Sequence, residues 1–207
     1  MNLRIHQRLV SKILHDLIAP ASSTLNGIEL LSGMQAIDEE VLSFMKEGAV
    51  SLNEKLKMFR LAFGATGDST ITNLQSFTEK TTPFIKVFGG NYHPVSADFM
   101  VLTTPDVQAV SVLIIMITQV ATGPFYVSLS SQKTKIHITI EDLRFCFNGK
   151  IMGYLVGDTS DDMVDVDVHD AQAWLMRILA DSCEMTINVV CNEPGKIILS
   201  LDKLPPS

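Results

Sequence analysis

The sequence predicts an α+β fold. A helical hairpin at the N-terminus forms a four-helix bundle in a homodimer, and an α/β sandwich domain follows it. Two observations predict this fold: heptad-like apolar spacing over residues 10–63, and mixed helical and strand-like patterns from residue 73 onward. Of 207 residues, 46% are hydrophobic and 19% are charged, so the chain can bury a sizeable core.

The hairpin is predicted from apolar or small side chains that recur at alternating spacings of four and three residues, the pattern of a coiled-coil seam. With Thr24 as the polar exception, they are Val10, Leu14, Leu17, Ala21, Thr24, Ile28 and Leu31 in the first helix, and Leu42, Met45, Ala49, Leu52, Leu56, Phe59 and Phe63 in the second. Residues 34–37 connect the helices, and Asp38 is a predicted N-cap. Two helices alone cannot enclose such apolar seams, so we expect a second copy to complete the bundle.

A change in charge marks the predicted domain boundary. Residues 1–64 hold seven basic and seven acidic side chains, so all of the formal net charge of −7 lies in the remainder. Gly64 and Gly67 also favour a helix stop and a turn at this place. The predicted domains are therefore residues 1–66 and 67–207.

The second domain combines helical and strand-like patterns. Helical periodicity covers residues 73–85, weakly and only as far as Pro83, and also residues 106–122 and 167–183. Strand-like segments at 125–131, 135–141, 185–191 and 196–202 form two hairpins. The result is a mostly antiparallel sheet with helices packed against it, in which residues 142–166 have no assigned structure.

Charge and cysteine content exclude several classes of function. An acidic protein with a pI near 5.1 is a poor candidate for binding nucleic acid or an anionic membrane. Three cysteines without C-x-x-C spacing suggest neither a disulfide framework nor a zinc site. Charged residues interrupt the N-terminus before a signal-peptide core could form, and the apolar stretch Val107–Ala121 is too short to span a membrane. A cytoplasmic location is expected.

His15 is the first candidate for chemistry. At about 100° per residue, Arg8, Ser11, Ala19 and Ser22 lie within about 40° of His15 on the helix, and the apolar seam lies about 140° away. The imidazole should therefore point into solvent, between small or polar neighbours that leave room for a bulky partner. Histidine is also common on ordinary solvated surfaces, so the residues alone leave a functional and a structural interpretation open.

An exposed imidazole can act as a nucleophile toward phosphorus and pass the phosphoryl group onward. Asp16 could accept a hydrogen bond from the second ring nitrogen and so fix the tautomer. Arg8 and Lys12 could offset the charge of a phosphoryl group. Pro20 should bend the helix just beyond His15.

The run His15-Asp16-Leu17-Ile18-Ala19-Pro20 resembles the phosphoacceptor box of sensor histidine kinases. The longer run HDLIAPASSTLNGIELL, residues 15–31, and the segment FRLAFGA, residues 59–65, resemble the ChpT type of bacterial histidine phosphotransferase. The similarity is specific over residues 10–67. After residue 67, the order of predicted helices and strands agrees with that family better than the residue identities do.

This resemblance implies a cytoplasmic homodimer that relays a phosphoryl group from the receiver aspartate of a hybrid kinase to His15 and then to the receiver of a response regulator. Asp16 would be the orienting base. Receivers would dock along Arg8, Ser11, Lys12, Ala19 and Ser22. The chain itself would bind no cofactor, because Mg²⁺ is expected on the receiver. The second domain would resemble a degenerate ATP-binding domain.

Missing kinase motifs favour a phosphotransferase over a kinase. The helical segment 106–122 contains no asparagine to hold magnesium, and no Asp-x-Gly-x-Gly occurs in the chain. Ala19 stands where phosphatase-competent kinases place a polar residue, so hydrolysis should be weak. Two alternatives stay open: an ATP-dependent histidine kinase fragment, and a non-enzymatic dimer that binds receivers or a kinase.

Other polar or aromatic features suggest structural roles. The aspartates at 158–170 lack EF-hand spacing and indicate a solvated loop. We expect Trp174 and Leu175 to face the core, and the three cysteines to be small core residues. His93 and His137 have no partner at a recognisable spacing.

Overall fold

A computed structural model describes residues 3–33, 38–64, 71–95, 100–121, 123–132, 134–143, 146–157 and 168–203. In chain order the elements are α1 (Leu3–Ser32), α2 (Glu39–Phe63), α3 (Leu74–Val87), β1 (Gly90–Tyr92), α4 (Thr104–Val120), β2 (Phe125–Gln132), β3 (Lys135–Leu143), α5 (Gly149–Val156), α6 (Val168–Ser182), β4 (Met185–Glu193) and β5 (Gly195–Lys203). The α+β class is confirmed.

The predicted hairpin is present as α1 and α2, which pack against each other. Asp38 caps α2 as predicted, because its carboxylate accepts hydrogen bonds from the backbone N–H groups of Glu40 and Val41. The helix ends at Gly64, whose N–H donates to the carbonyl of Arg60. The predicted connection, residues 34–37, lies outside the described residues, as do residues 65–70 around the predicted domain boundary.

The sheet has the strand order β1-β2-β3-β5-β4, with β1 parallel to β2 and all other neighbours antiparallel. Alternate residues of the central strands face inward, as their period of two requires. These buried residues are Val127, Leu129, Ile136, Ile138, Ile140, Ile197, Leu199 and Leu201. They join α3, α4 and α6 in one hydrophobic core, which confirms the mostly antiparallel sheet with packed helices.

Helix α4 links this core to the hairpin. Its residues are buried almost without a break from Val107 to Thr118, and it contacts both α2 and α6. At its N-terminus the buried carboxylate of Asp106 accepts hydrogen bonds from the N–H and hydroxyl of Thr103. The ammonium of Lys203, on β5, lies 2.6 Å from the same carboxylate oxygen. Helix α4 is therefore anchored directly to the sheet.

The structure differs from the sequence prediction at three places. Helix α3 continues through Pro83 to Val87, because Phe84 and Ile85 are buried in the core and their packing offsets the backbone bond that proline removes. Strand β1 has only three residues and was not predicted. Helix α5 was also missed; it lies in the unassigned region 142–166 and is capped by Asn148.

The interface between α1 and α2 predicts a sensitive position at Gly48. An added Cβ there would lie 2.8 Å from Thr24 Oγ1 and 3.1 Å from the Pro20 carbonyl oxygen. We expect Gly48→Ala to lower the free energy of unfolding by about 1 kcal/mol, because an overpacking cost of about 1–3 kcal/mol exceeds the helix propensity that alanine gains. Urea unfolding at a fixed protein concentration measures this.

Gly149→Ala is the control, because Gly149 also lies in a helix, at the start of α5. An added Cβ at Gly149 would have no heavy atom within 4 Å. Gly149→Ala should therefore not lower the free energy of unfolding. Equal losses for the two variants would contradict a steric cause at Gly48.

Candidate functional site

His15 lies on the outer face of α1, and its side chain is 81% exposed. We call the residues on this face of α1, which are Arg8, Ser11, His15, Ala19 and Ser22, the His15 stripe. Ser11, Ala19 and Ser22 are also exposed, and Arg8 is half-buried. The predicted exposure of the imidazole is confirmed. In the part of the chain that the structure describes, His15 Nε2 has no hydrogen-bond partner, whereas Nδ1 is turned toward Asp16.

Asp16 differs from its neighbour in being largely buried, with 16% of its side chain exposed. Its Oδ1 lies 3.5 Å from His15 Nδ1, which is the long limit of a hydrogen bond, and 2.7 Å from Lys12 Nζ. Its Oδ2 accepts a hydrogen bond from Gln119 Nε2 at 3.1 Å. A fixed carboxylate therefore adjoins an exposed imidazole.

Lys12 was predicted to face a docking partner. In the structure its side chain is 16% exposed, and its ammonium is paired with Asp16 one turn along α1. Lys12 therefore contacts the acid rather than open solvent. Its charge lies at the edge of the His15 stripe, and not in the centre.

Pro20 explains why a second cation, the ammonium of Lys55, lies at the site. An α-helical carbonyl normally accepts from the N–H four residues later, but proline has none, so the carbonyl of Asp16 loses that partner. Lys55 Nζ of α2 donates to this carbonyl at 3.1 Å. The ammonium also lies 5.4 Å from the ring centre of Phe88. Lys55 thus ties α1 to α2 next to His15.

The surroundings of Lys55 act on its charge in opposite directions. Burial lowers the pKa of Lys55, Asp16 raises it, and Lys12 lowers it. Burial has the largest effect, so the pKa of Lys55 lies below its ordinary value, and the carboxylate of Asp16 opposes this shift.

The part of the chain that follows the hairpin reaches the site through α3, α4 and Phe88, the residue that follows α3. Phe84, Phe88, Ile115, Thr118 and Gln119 pack around Asp16 and Lys55 and leave a cavity of only about 10 Å³. Sequence reasoning did not find Lys55 or Gln119. Gln119 is a polar residue near the C-terminal end of a mostly apolar helix, and Pro20 marks the carbonyl that needs a donor. Both signals were available in the sequence.

A groove begins one helical turn from His15, at Ala19. It runs between α1, α2 and α3 and has a volume of about 890 Å³. Its walls include Ser23 of α1, Phe44 and Val50 of α2, and Pro83, Lys86 and Val87 of α3. Phe44 and Val50 are exposed apolar side chains in this groove.

The other candidate residues form no second site. No group of three metal-ligating side chains occurs within the described ranges. Cys146 is exposed, so its predicted place in the core is wrong. It lies after the end of β3 and not in a strand. Cys183 and Cys191 are half-buried, and burial together with Asp106 raises the pKa of the Cys183 thiol, which makes it a poor nucleophile.

Two further predictions on side chains have mixed outcomes. Leu175 is buried and Trp174 packs against the core, as predicted. His93 does have partners, because its ring stacks on Tyr126 and lies 3.6 Å from Glu141. These contacts join different strands, so no spacing in the sequence could show them.

None of the described helices is both long and apolar enough to cross a membrane.

Comparisons with known proteins show a shared fold and a partial sequence similarity. No protein-family model matches the chain. The Protein phosphotransferase ChpT of Brucella abortus (strain 2308) is 38% identical over 63 residues, which is 30% of this chain and 30% of that protein. A bacterial phosphotransferase of known structure aligns with 98% of this chain and 97% of its own, with a TM-score of 0.77 and 21% identity.

The histidine kinase AdeS of Acinetobacter baumannii aligns with 91% of this chain and 96% of its own, with a TM-score of 0.47 and 13% identity. The chain therefore has the fold of a bacterial phosphotransferase and is similar in part of its sequence to a ChpT protein.

The link between Pro20 and Lys55 can be tested by a double-mutant cycle. Lys55→Met should lower the free energy of unfolding by about 1 kcal/mol, because the Asp16 carbonyl loses its donor. In a Pro20→Ala background, residue 20 regains an N–H, so the same substitution should cost less. Urea unfolding of the four proteins measures the coupling.

Lys57→Met is the control, since Lys57 pairs with Glu54 on the same helix and lies away from Pro20. Its cost should be the same in both backgrounds. If Lys55→Met costs as much with alanine at position 20 as with proline, the lysine does not replace the missing N–H.

Proposed function

We propose that this protein is a histidine phosphotransferase that carries a phosphoryl group on His15 between receiver domains. The observation that carries the proposal is an 81% exposed imidazole on a helix, with Nδ1 turned toward a fixed carboxylate and Nε2 open to solvent. The partial similarity to a ChpT phosphotransferase supports the same chemistry. The donor would be the receiver of a hybrid kinase, and the acceptor the receiver of a response regulator.

The transfer step needs a neutral imidazole that attacks phosphorus. The lone pair of His15 Nε2 forms the N–P bond while the P–O bond to the receiver aspartate breaks, and that aspartate leaves as a carboxylate. The ring becomes cationic, and Asp16 stabilises its Nδ1–H. The second transfer reverses these events on another receiver. Mg²⁺ would be held by the receiver and not by this chain.

Receivers would dock on the stripe around His15 and on the groove beside it. Arg8, Ser11, Ala19 and Ser22 supply small or polar side chains around the imidazole, with Lys12 at the edge. The groove continues this surface from Ala19, and its exposed Phe44 and Val50 offer apolar area. One partner could therefore cover both.

A homodimer accounts for the apolar surface that the single chain leaves exposed. Five seam residues of the two helices are 41–52% exposed: Val10, Leu14, Ile28, Leu42 and Leu56. Beside them, Ala21, Leu25, Ala49 and Leu52 help to line a groove of about 350 Å³ on the same face. A contiguous apolar face of this kind is costly in water, and a second hairpin would cover it.

We also propose that the chain is not an ATP-dependent kinase. Helix α4 contains no asparagine, and the sequence has no Asp-x-Gly-x-Gly. The side chains that hold magnesium and adenine in the kinases it resembles are thus missing from their expected places. The second domain would act on phosphotransfer without a nucleotide.

The transfer assay tests the proposed function. Wild type, mixed with a phosphorylated receiver and Mg²⁺, should become labelled with an acid-labile, base-stable phosphate. His15→Ala should give only background label, because the nucleophile is gone. His137→Ala, a control on β3, should be labelled like wild type. ATP alone should label none of the three proteins.

Each other outcome points to a different error. Label on His15→Ala would place the acceptor elsewhere in a true phosphotransferase. Label from ATP would favour the kinase fragment. Receiver binding without any label on wild type would favour the non-enzymatic regulator.

Sedimentation equilibrium tests the dimer. Wild type should have twice the mass of the chain, and the double variant Ile28→Glu, Leu56→Glu should be monomeric, because two carboxylates would be buried in the bundle. Both residues are exposed in the single chain, so its circular dichroism should be retained. Val190→Glu, at a 63% exposed position on β4, is the control and should remain dimeric. A monomeric wild type would contradict the bundle.

A further inference from the structure

We propose that Gln119 is a positioning residue for phosphoryl transfer, through which the second domain holds Asp16 in place beside His15. This inference rests on the proposed function. It gives the second domain a role at the reacting histidine that does not depend on nucleotide.

The contacts of Asp16 divide between its two oxygens. Oδ1 faces Lys12 Nζ at 2.7 Å and His15 Nδ1 at 3.5 Å, and both of these residues belong to α1. Oδ2 accepts from Gln119 Nε2 at 3.1 Å, across a separation of 103 residues. A carboxylate that is held at one oxygen can still rotate. Gln119 occupies the other oxygen and so fixes the plane in which Oδ1 meets the imidazole.

The hydrogen bond from Gln119 Nε2 to Asp16 leaves the other end of the same amide unpaired. Its Oε1 is buried and has no hydrogen-bond partner within the described residues. An unpaired buried carbonyl is unfavourable, because it has lost its hydrogen bonds to water and gained none in their place. Rotating the amide would not relieve this cost, because Oε1 would then face a carboxylate oxygen. A leucine of similar size would avoid the unpaired atom, so stability alone does not explain a glutamine here.

The bond matters most when the ring becomes cationic. As the N–P bond forms, positive charge develops on the imidazole, and a carboxylate that is already oriented stabilises it without reorganisation. The proposed role is therefore in the rate of transfer at a given amount of bound receiver. Gln119 itself lies among Phe59, Phe88 and Thr118 and is not on the docking stripe.

The test compares two glutamines of α4. Gln119→Leu removes the donor and keeps the volume. Gln108→Leu is the matched control, because Gln108 Nε2 also bonds to the hairpin, at 2.7 Å from the carbonyl oxygen of Gly64, far from His15 along α4. Single-turnover transfer from a phosphorylated receiver, over a range of receiver concentrations, separates the maximal rate constant from the half-saturating concentration.

We expect Gln119→Leu to lower the maximal rate constant about ten-fold, as for a misplaced base, and to leave the half-saturating concentration unchanged. Gln108→Leu should change neither. Nitrogen-15 NMR of the neutral His15 ring gives a second measurement. The tautomer protonated on Nδ1 should be less populated in Gln119→Leu than in wild type and Gln108→Leu, because the oriented acceptor is lost.

The inference is overturned if Gln119→Leu matches Gln108→Leu in both the rate constant and the tautomer population. It is also overturned if only the half-saturating concentration rises, since Gln119 would then act in docking. Failure of the proposed function itself is recognised separately, by a wild type that takes no label. In that case the inference falls with it, whatever the tautomer populations are.

Discussion

The backbone N–H that Pro20 lacks is the constraint around which the site is built. A proline four residues after Asp16 leaves the carbonyl of Asp16 without its helical partner, and a half-buried carbonyl without a donor is unfavourable. Lys55 supplies the donor from α2 at 3.1 Å. The two helices also approach closely beside the proline, where Gly48 faces its carbonyl. The spacing His-acid-x-x-x-Pro thus directs a cation to the residue next to the histidine.

The site combines an exposed imidazole with a largely buried carboxylate. A neutral imidazole loses little by standing in water, so His15 can be exposed and approached by a large partner. A carboxylate that is mostly buried needs compensation, and Asp16 receives it from Lys12, from Gln119 and from the nearby Lys55. The result is one fixed hydrogen-bond acceptor and one accessible imidazole on adjacent residues, although adjacent residues of a helix point about 100° apart.

Much of the fold could be predicted because its signals are local. The seams of α1 and α2, the Asp38 cap and the two strand hairpins follow from spacing and capping within a few residues. The continuation of α3 past Pro83 depends on tertiary packing of Phe84 and Ile85, and β1 is too short to show a pattern. At the site, the exposure of His15 follows from helical periodicity. Pro20 and the glutamine near the end of α4 are visible in the sequence, but Lys55 and Gln119 lie 39 and 103 residues from Asp16, so no sequence pattern shows that they contact it.

Helix α4 is well suited to hold a side chain accurately. Helix α4 is enclosed by apolar contacts, and its N-terminus is fixed by Thr103, Asp106 and Lys203. Because α4 is packed on several sides and tied to β5, the position of Gln119 near its C-terminus is set by the whole core. The proposed role of Gln119 needs such a core, because its bond to Asp16 spans 103 residues of sequence and its geometry depends on where the entire helix lies.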